Sequence, residues 1–167
     1  MNAPGHFDFY VVVLFLHIAA AVIAFGATFA YPLIEMTLQR VDVRSLPAWH
    51  EAQNQVGHKL ITPGAILILV TGIYMVATDR WDGIGSFWFS AAGLIVVVLL
   101  GLGHGFFAPN ARKRRDQARA DLEAGAAERG QMSDAYVALS KRTAPVGMLA
   151  SLLILIALLL MVWKPGA

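Results

Sequence analysis

Apolar and polar positions alternate in long blocks along this chain, with apolar stretches at about 9–33, 60–78, 87–108 and 143–163. Each stretch is long enough for a helix to cross a bilayer, which takes about 20 residues. Runs such as LIVVVLLGL and LASLLILIALLLMV lack the alternation of a barrel strand. Only helices and closed barrels satisfy their backbone polar groups within lipid, so the pattern predicts four transmembrane helices. The polar blocks carry helical signals of their own. SLPAWHEAQNQVGHKL predicts a helix that begins at Pro47, with Ser45 or a neighbour as its cap, and runs into the second span. NARKRRDQARADLEAGAAERG predicts a solvated extension of the third span. Gly130 predicts its stop, and Ser133 the cap of a short helix leading to Pro145 and the fourth span. The expected fold is all-α: one polytopic four-helix bundle over residues 1–167, with a helical hairpin between spans three and four and no internal repeat.

Composition points the same way. Of 167 residues, 57% are hydrophobic and 14% charged, against about 25% charged in an ordinary soluble domain. The absence of cysteine excludes disulfides, thiolate metal sites, iron–sulfur clusters and c-type haem attachment. The N-terminal MNAPGHFDF lacks the basic region of a cleavable signal peptide, so the first span is expected to be retained. Charge then sets orientation. Eleven of the thirteen basic residues lie in two loops: Arg40, Arg44 and Lys59, then Arg112, Lys113, Arg114, Arg115, Arg119, Arg129, Lys141 and Arg142. Only Arg80 and Lys164 lie on the other side. The positive-inside rule puts both loops in the cytoplasm and both termini outside. Trp81, Trp88 and Trp163 then fall at outer span ends. The run Arg112 to Arg115 reads as a topology anchor with no ligand, the alternative being a site for anionic lipid headgroups. Basic residues that track topology give no support to nucleic-acid binding. The expected partners are the lipid bilayer and a larger membrane complex or second copies of the chain.

Inside the first span stands His17, in LHIAAAVIAFG. On a helix, His17, Ala20, Ala21, Ala24, Thr28 and Tyr31 share one side, and Phe15, Ile18, Val22, Phe25, Phe29 and Leu33 the other. Membrane helices pack through small residues and leave bulky apolar ones to lipid, so His17 is expected to face the bundle interior, with Thr71 of span two at its depth. One reading is a structural hydrogen bond to a neighbouring helix; the other is an axial haem ligand or a proton-handling group. His104, in LGLGHGFF, and His58 fall at one level near the cytoplasmic end and meet if their helices are neighbours. His50, Asn54 and His58 share a face at i, i+4, i+8 spacing. Such groupings suit a divalent metal or a haem. His6 reads as solvated.

Other chemistries lack their signatures. There is no G-x-S-x-G, no H-E-x-x-H and no phosphate-binding glycine loop. Asp8, Glu35 and Asp79 all fall at span ends, which argues against a proton-driven transporter.

Several stretches together resemble a group of small four-helix bacterial membrane proteins: LHIAAAVIAFGATFAYPLIE, HKLITPGAILILVTGIYMV, GHGFF, and Pro145 with the ending LMVWKPG. The group includes HemJ-type protoporphyrinogen oxidases, copper-resistance D-like proteins and an uncharacterised family of predicted integral membrane proteins. The resemblance implies b-type haem bound through His17, which matches the first-span histidine of the HemJ type, and it aligns His104 with a histidine–glycine pair late in span three. The HemJ lysine early in span three is missing from FWFSAAGL, the proline–arginine pair after span one from YPLIE, and the asparagine–glutamate pair before the span-four proline from Arg142, Thr143 and Ala144. Lys164–Pro165 resembles the ending of the uncharacterised branch. The function expected is a haem b or similar redox-cofactor protein, with His17 as first ligand and His58 with His104 as a second site. The alternative is a non-catalytic accessory subunit or scaffold of a larger membrane complex.

Overall fold

The computed structural model describes residues 8–78 and 86–165. His6, Asp79, Arg80 and Trp81 lie outside them. Helix α1, Phe9–Val41, opens at Asp8, whose carboxylate accepts the Tyr10 N–H at 3.1 Å. It stops at Asp42, which begins the next element by accepting the Arg44 N–H and the Ser45 hydroxyl. Ser45 holds the N-cap position of the next α-helix, as expected, but makes no side-chain cap bond there; Asp42 caps the turn before it. A 3-10 turn, Val43–Ser45, leads into α2, Leu46–Val56, which starts one residue ahead of Pro47. A π-helical turn, Gly57–Ile61, joins α2 to α3, Thr62–Ala77. The same plan recurs in the next helical body: α4, Phe87–Leu102, a π-helical turn at Gly103–Phe107, then α5, Ala108–Glu123. One turn, α6 (Ala126–Arg129), sits between Gly125 and Gly130, whose φ values of 82° and 66° only glycine adopts freely. Ser133 caps α7, Asp134–Trp163, by accepting the Tyr136 N–H. The separate short helix expected before Pro145 does not exist, because α7 runs through that proline as one helix of 30 residues.

Among the described residues four helical bodies are long and apolar enough to cross a membrane: Phe9–Val41, Val43–Ala77, Phe87–Glu123 and Asp134–Trp163. The two in the middle contain a π turn for a local reason. Proline has no N–H and its ring clashes with the carbonyl four residues back. Pro63 and Pro109 each come just after a π turn, in which Thr62 and Ala108 donate five residues back, to Gly57 and Gly103. Widening the turn carries the helix past the missing donor, whereas α1 and α7 pass Pro32 and Pro145 without a π turn. Both sites spell Gly-His-x-x-x-x-Pro, at 57–63 and 103–109, a recurrence too short to amount to a repeated domain.

Packing partners change at these turns. On the side with the basic loops, α2 lies mainly against α5, and α7 joins them; beyond the π turns α3 turns to α1, and α4 to α7. The two middle bodies thus form a fork whose arms part at the π turns. Helices α1 and α3 approach closely, since a Cβ added at Gly64 falls 2.7 Å from the Cβ of Ala24. Ala20, Ala24, Ala65, Ile68, Val96 and Ile154 fill the apolar core there. Phe25 belongs to it too, at 9% exposure, and not to the lipid face expected for it. The other bulky residues of that stripe, Phe15, Ile18, Val22, Phe29 and Leu33, are exposed as expected.

Gly64→Ala is therefore expected to push α1 from α3 and destabilise the bundle by about 1–3 kcal/mol, the usual cost of overpacking. A Cβ at Gly26 or Gly147 meets nothing within 4 Å, so Gly26→Ala and Gly147→Ala should be neutral or gain about 0.5–1 kcal/mol of helix propensity. Thermal unfolding in detergent compares the three, and a harmless Gly64→Ala would contradict the close approach.

Candidate functional site

The histidines occupy three different environments. His17 is 8% exposed, and its Nδ1 lies 2.8 Å from Thr71 Oγ1. The Thr71 hydroxyl donates its one proton to the Leu67 carbonyl, at 2.6 Å, or to that of Ile68, at 3.2 Å. With that proton on a carbonyl the hydroxyl accepts from the imidazole, the tautomer in which Nδ1 carries the proton and Nε2 keeps a lone pair. Gly72 lies against the ring, for a Cβ there would sit 3.4 Å from Cε1. The inward face and the Thr71 partner both agree with the sequence pattern. The alanines beside His17 have a different use from the one expected, because Ala20 and Ala24 pack directly against α3.

His58 and His104 sit on the two π turns, and their ring centres are 5.6 Å apart with planes at 74°. The structure thus brings together two residues 46 positions apart, from facing arms of the fork. His104 Nδ1 donates to the Leu100 carbonyl at 3.1 Å, which leaves its Nε2 unprotonated. Both side chains are at least partly open to the surroundings in the isolated chain.

His50 does not join them. It is fully buried, with Nδ1 2.9 Å from Gln53 Oε1 and Nε2 2.8 Å from the Tyr136 hydroxyl. Gln53 Oε1 only accepts, so Nδ1 donates and Nε2 accepts from Tyr136, leaving no lone pair for a ligand. The shared face expected for His50, Asn54 and His58 fails because a π turn intervenes: His50 turns inward while His58 turns out. Among the described residues, no three His, Asp, Glu or Cys side chains gather as metal ligands.

Beside His50 lies an ion pair that sequence reasoning missed. Arg114 of α5 donates to both oxygens of Glu35 on α1, at 2.9 and 2.8 Å, and the side chains are only 8% and 12% exposed. Ser140 of α7 and Gln39 also donate to Glu35. Three helices are joined through this polar knot, beyond the apolar stretches, and His50 of α2 lies beside it. Burial, and after it the nearby Arg114 charge, holds the His50 imidazole below its ordinary pKa; burial, and after it the Glu35 charge, raises the Tyr136 phenol. A signal for Arg114 existed: Ala111, Arg114, Ala118 and Asp121 recur at helical spacing, and all four are buried. In the run Arg112 to Arg115 the charge pattern hides it. Arg115 pairs with Glu51 of α2, so only Arg112 and Lys113 of the four face outward.

Residues 11–165 match the family described as predicted integral membrane protein (DUF2269), and the chain belongs to that family. No curated protein and no solved structure matches it.

Arg114→Ala leaves a buried carboxylate unpaired and should cost about 3–5 kcal/mol. Replacing both members, Glu35→Gln with Arg114→Met, should cost less than the single change; the reverse order would refute the pairing. For His50, the folded pKa lies below the unfolded one. Its contribution is complete above about pH 6.5 and is lost as pH falls from there towards the folded value. Stability in detergent should decline on acidification, and His50→Gln should flatten that slope.

Proposed function

We propose that this member of the predicted integral membrane protein family lies in a bacterial inner membrane, with both termini in the periplasm. There it binds haem b, or a redox cofactor of that class, through His17. One observation carries the reading: buried His17 meets the Thr71 hydroxyl through Nδ1, an arrangement that leaves Nε2 as the ring's donor within the bundle when Thr71 gives its proton to a carbonyl. Histidines that ligate metals ordinarily donate their other ring N–H in this way. The LHI context matches the haem histidine of the HemJ type, and the proposal sets the family beside that type and the copper-resistance D-like proteins.

The donor fits haem iron, which supplies one-electron chemistry when bound. This chain's part is to orient the imidazole through Thr71 and to keep water from it. The alanine side of His17 is closed by α3, so a flat macrocycle belongs there only if it is built in while the helices assemble. His58 with His104 is the second candidate pair, open from outside. The Thr71 bond also satisfies His17 with no ligand at all, which favours the alternative of a non-catalytic accessory subunit or scaffold in a larger membrane complex.

A reduced-minus-oxidised spectrum of protein expressed with ample haem should show haem bands that His17→Ala abolishes or shifts. Haem that instead enters the finished protein and is lost in His104→Ala moves the site to the fork. Protein that is colourless after expression with haem, and after haem titration, leaves only the accessory reading.

Orientation has its own check. A phosphatase reporter fused after Ala167, active only in the periplasm, should be active. Fluorescence from a reporter that matures only in the cytoplasm would reverse the topology.

A further inference from the structure

The fork between the two middle helical bodies plays no part in ligation by His17. We propose that His58 and His104 form a site for a divalent first-row transition metal ion, of the zinc class, bound directly by the two imidazoles with its other positions open to water or other exchangeable donors. Three features of the chain carry this.

First, the rings face each other from two different helical bodies at 5.6 Å between centres. Two imidazoles that share one ion at about 2.0–2.1 Å in tetrahedral geometry place their ring centres roughly 5 Å apart. The observed spacing of ring centres is close to that value. Second, His104 already has the tautomer a metal requires. Its Nδ1–H is spent on the Leu100 carbonyl at 3.1 Å, the kind of outer hydrogen bond that orients a ligating histidine and leaves Nε2 free. Third, both residues sit on π turns, which occur disproportionately at functional sites. An edge-to-face pair of rings is also ordinary packing. Packing alone, however, does not call for two accessible imidazoles on matching Gly-His-x-x-x-x-Pro turns. Nor does it require the open space around them: a Cβ added at Gly57, Gly101, Gly103 or Gly105 meets nothing within 4 Å.

The ligand chemistry narrows the occupant. Neutral imidazoles without carboxylates suit zinc, cobalt, nickel or copper better than magnesium or calcium, which take oxygen donors. With no third protein ligand among the described residues, the site is open and exchangeable, unlike a closed structural zinc site. Binding would tie α2–α3 to α4–α5 at the point where they part.

The test uses full-length protein with any affinity tag removed, produced without added haem in a His17→Ala background, so that it reads independently of the haem proposal. Zn²⁺ should raise the thermal unfolding midpoint, and Co²⁺ should give visible absorption that Zn²⁺ displaces. His58→Ala and His104→Ala should each weaken Co²⁺ binding at least tenfold, the double variant should remove it, and Lys59→Ala should leave it unchanged. Because neither histidine is buried, these variants should fold, which unfolding in the absence of metal verifies. Equal Co²⁺ binding by the double variant, or no Co²⁺ absorption at millimolar ion, would overturn the site.

Discussion

A proline in a membrane-spanning helix removes one backbone donor that lipid cannot replace, and the middle of this protein is arranged around two such residues. Pro63 and Pro109 are accommodated by π turns beginning at Gly57 and Gly103, which keep each helix hydrogen-bonded through the change of depth. A π turn also rotates the helical segment on its far side relative to the one on its near side. Each middle body can therefore present one face to one partner and another face to the next. Without that rotation, α2 and α3 would have to share a single buried stripe, as would α4 and α5.

The same constraint separates two kinds of interior. Where α1 packs on α3, contact rests on small residues: Gly64 meets Ala24, and Gly72 meets the His17 ring. The hydrogen bond from His17 to Thr71 crosses between helices there, passes on to a backbone carbonyl and leaves no charge. Beyond the π turns the interior is polar, with Glu35 and Arg114 paired where α1, α5 and α7 meet. Removing both from water is costly, and the pair's attraction roughly offsets that cost, so its value lies in specifying which faces meet. A wrong register of α5 would leave a carboxylate and a guanidinium buried apart.

Much of this was legible in the sequence. Four spans can be read from unbroken apolar runs, and the inward face of His17 from alanines at helical spacing, because lipid rewards no particular packing of bulky residues. Phe25 escaped that rule since α1 contacts α7 as well as α3, which widens its buried arc beyond one stripe. The supposed His50–His58 face rested on an α-helical register, and the π turn cancels it. The meeting of His58 and His104 was foreshadowed by equal depth and by the duplicated Gly-His-x-x-x-x-Pro. Adjacency itself is a property of the fold, which spacing along one chain does not encode. Arg114 was concealed by company, because one inward arginine among four looks like a solvated run unless the alanines flanking it are counted.

The helix rise keeps the histidine environments independent. Thr71, which touches His17, stands thirteen residues beyond His58 in the same helical body, or about 20 Å at 1.5 Å per residue. Two axial ligands of one iron stand only about 4 Å apart. No tilt of a rigid helix closes that gap, so His17 and the fork histidines cannot hold one metal between them in the same chain. Their surroundings differ to match: one imidazole is enclosed and oriented by a hydroxyl, while the other two are open and face each other. The enclosed imidazole is 8% exposed, whereas both fork imidazoles are exposed. The duplicated turn therefore has no need of His17, and the two proposals stand or fall separately.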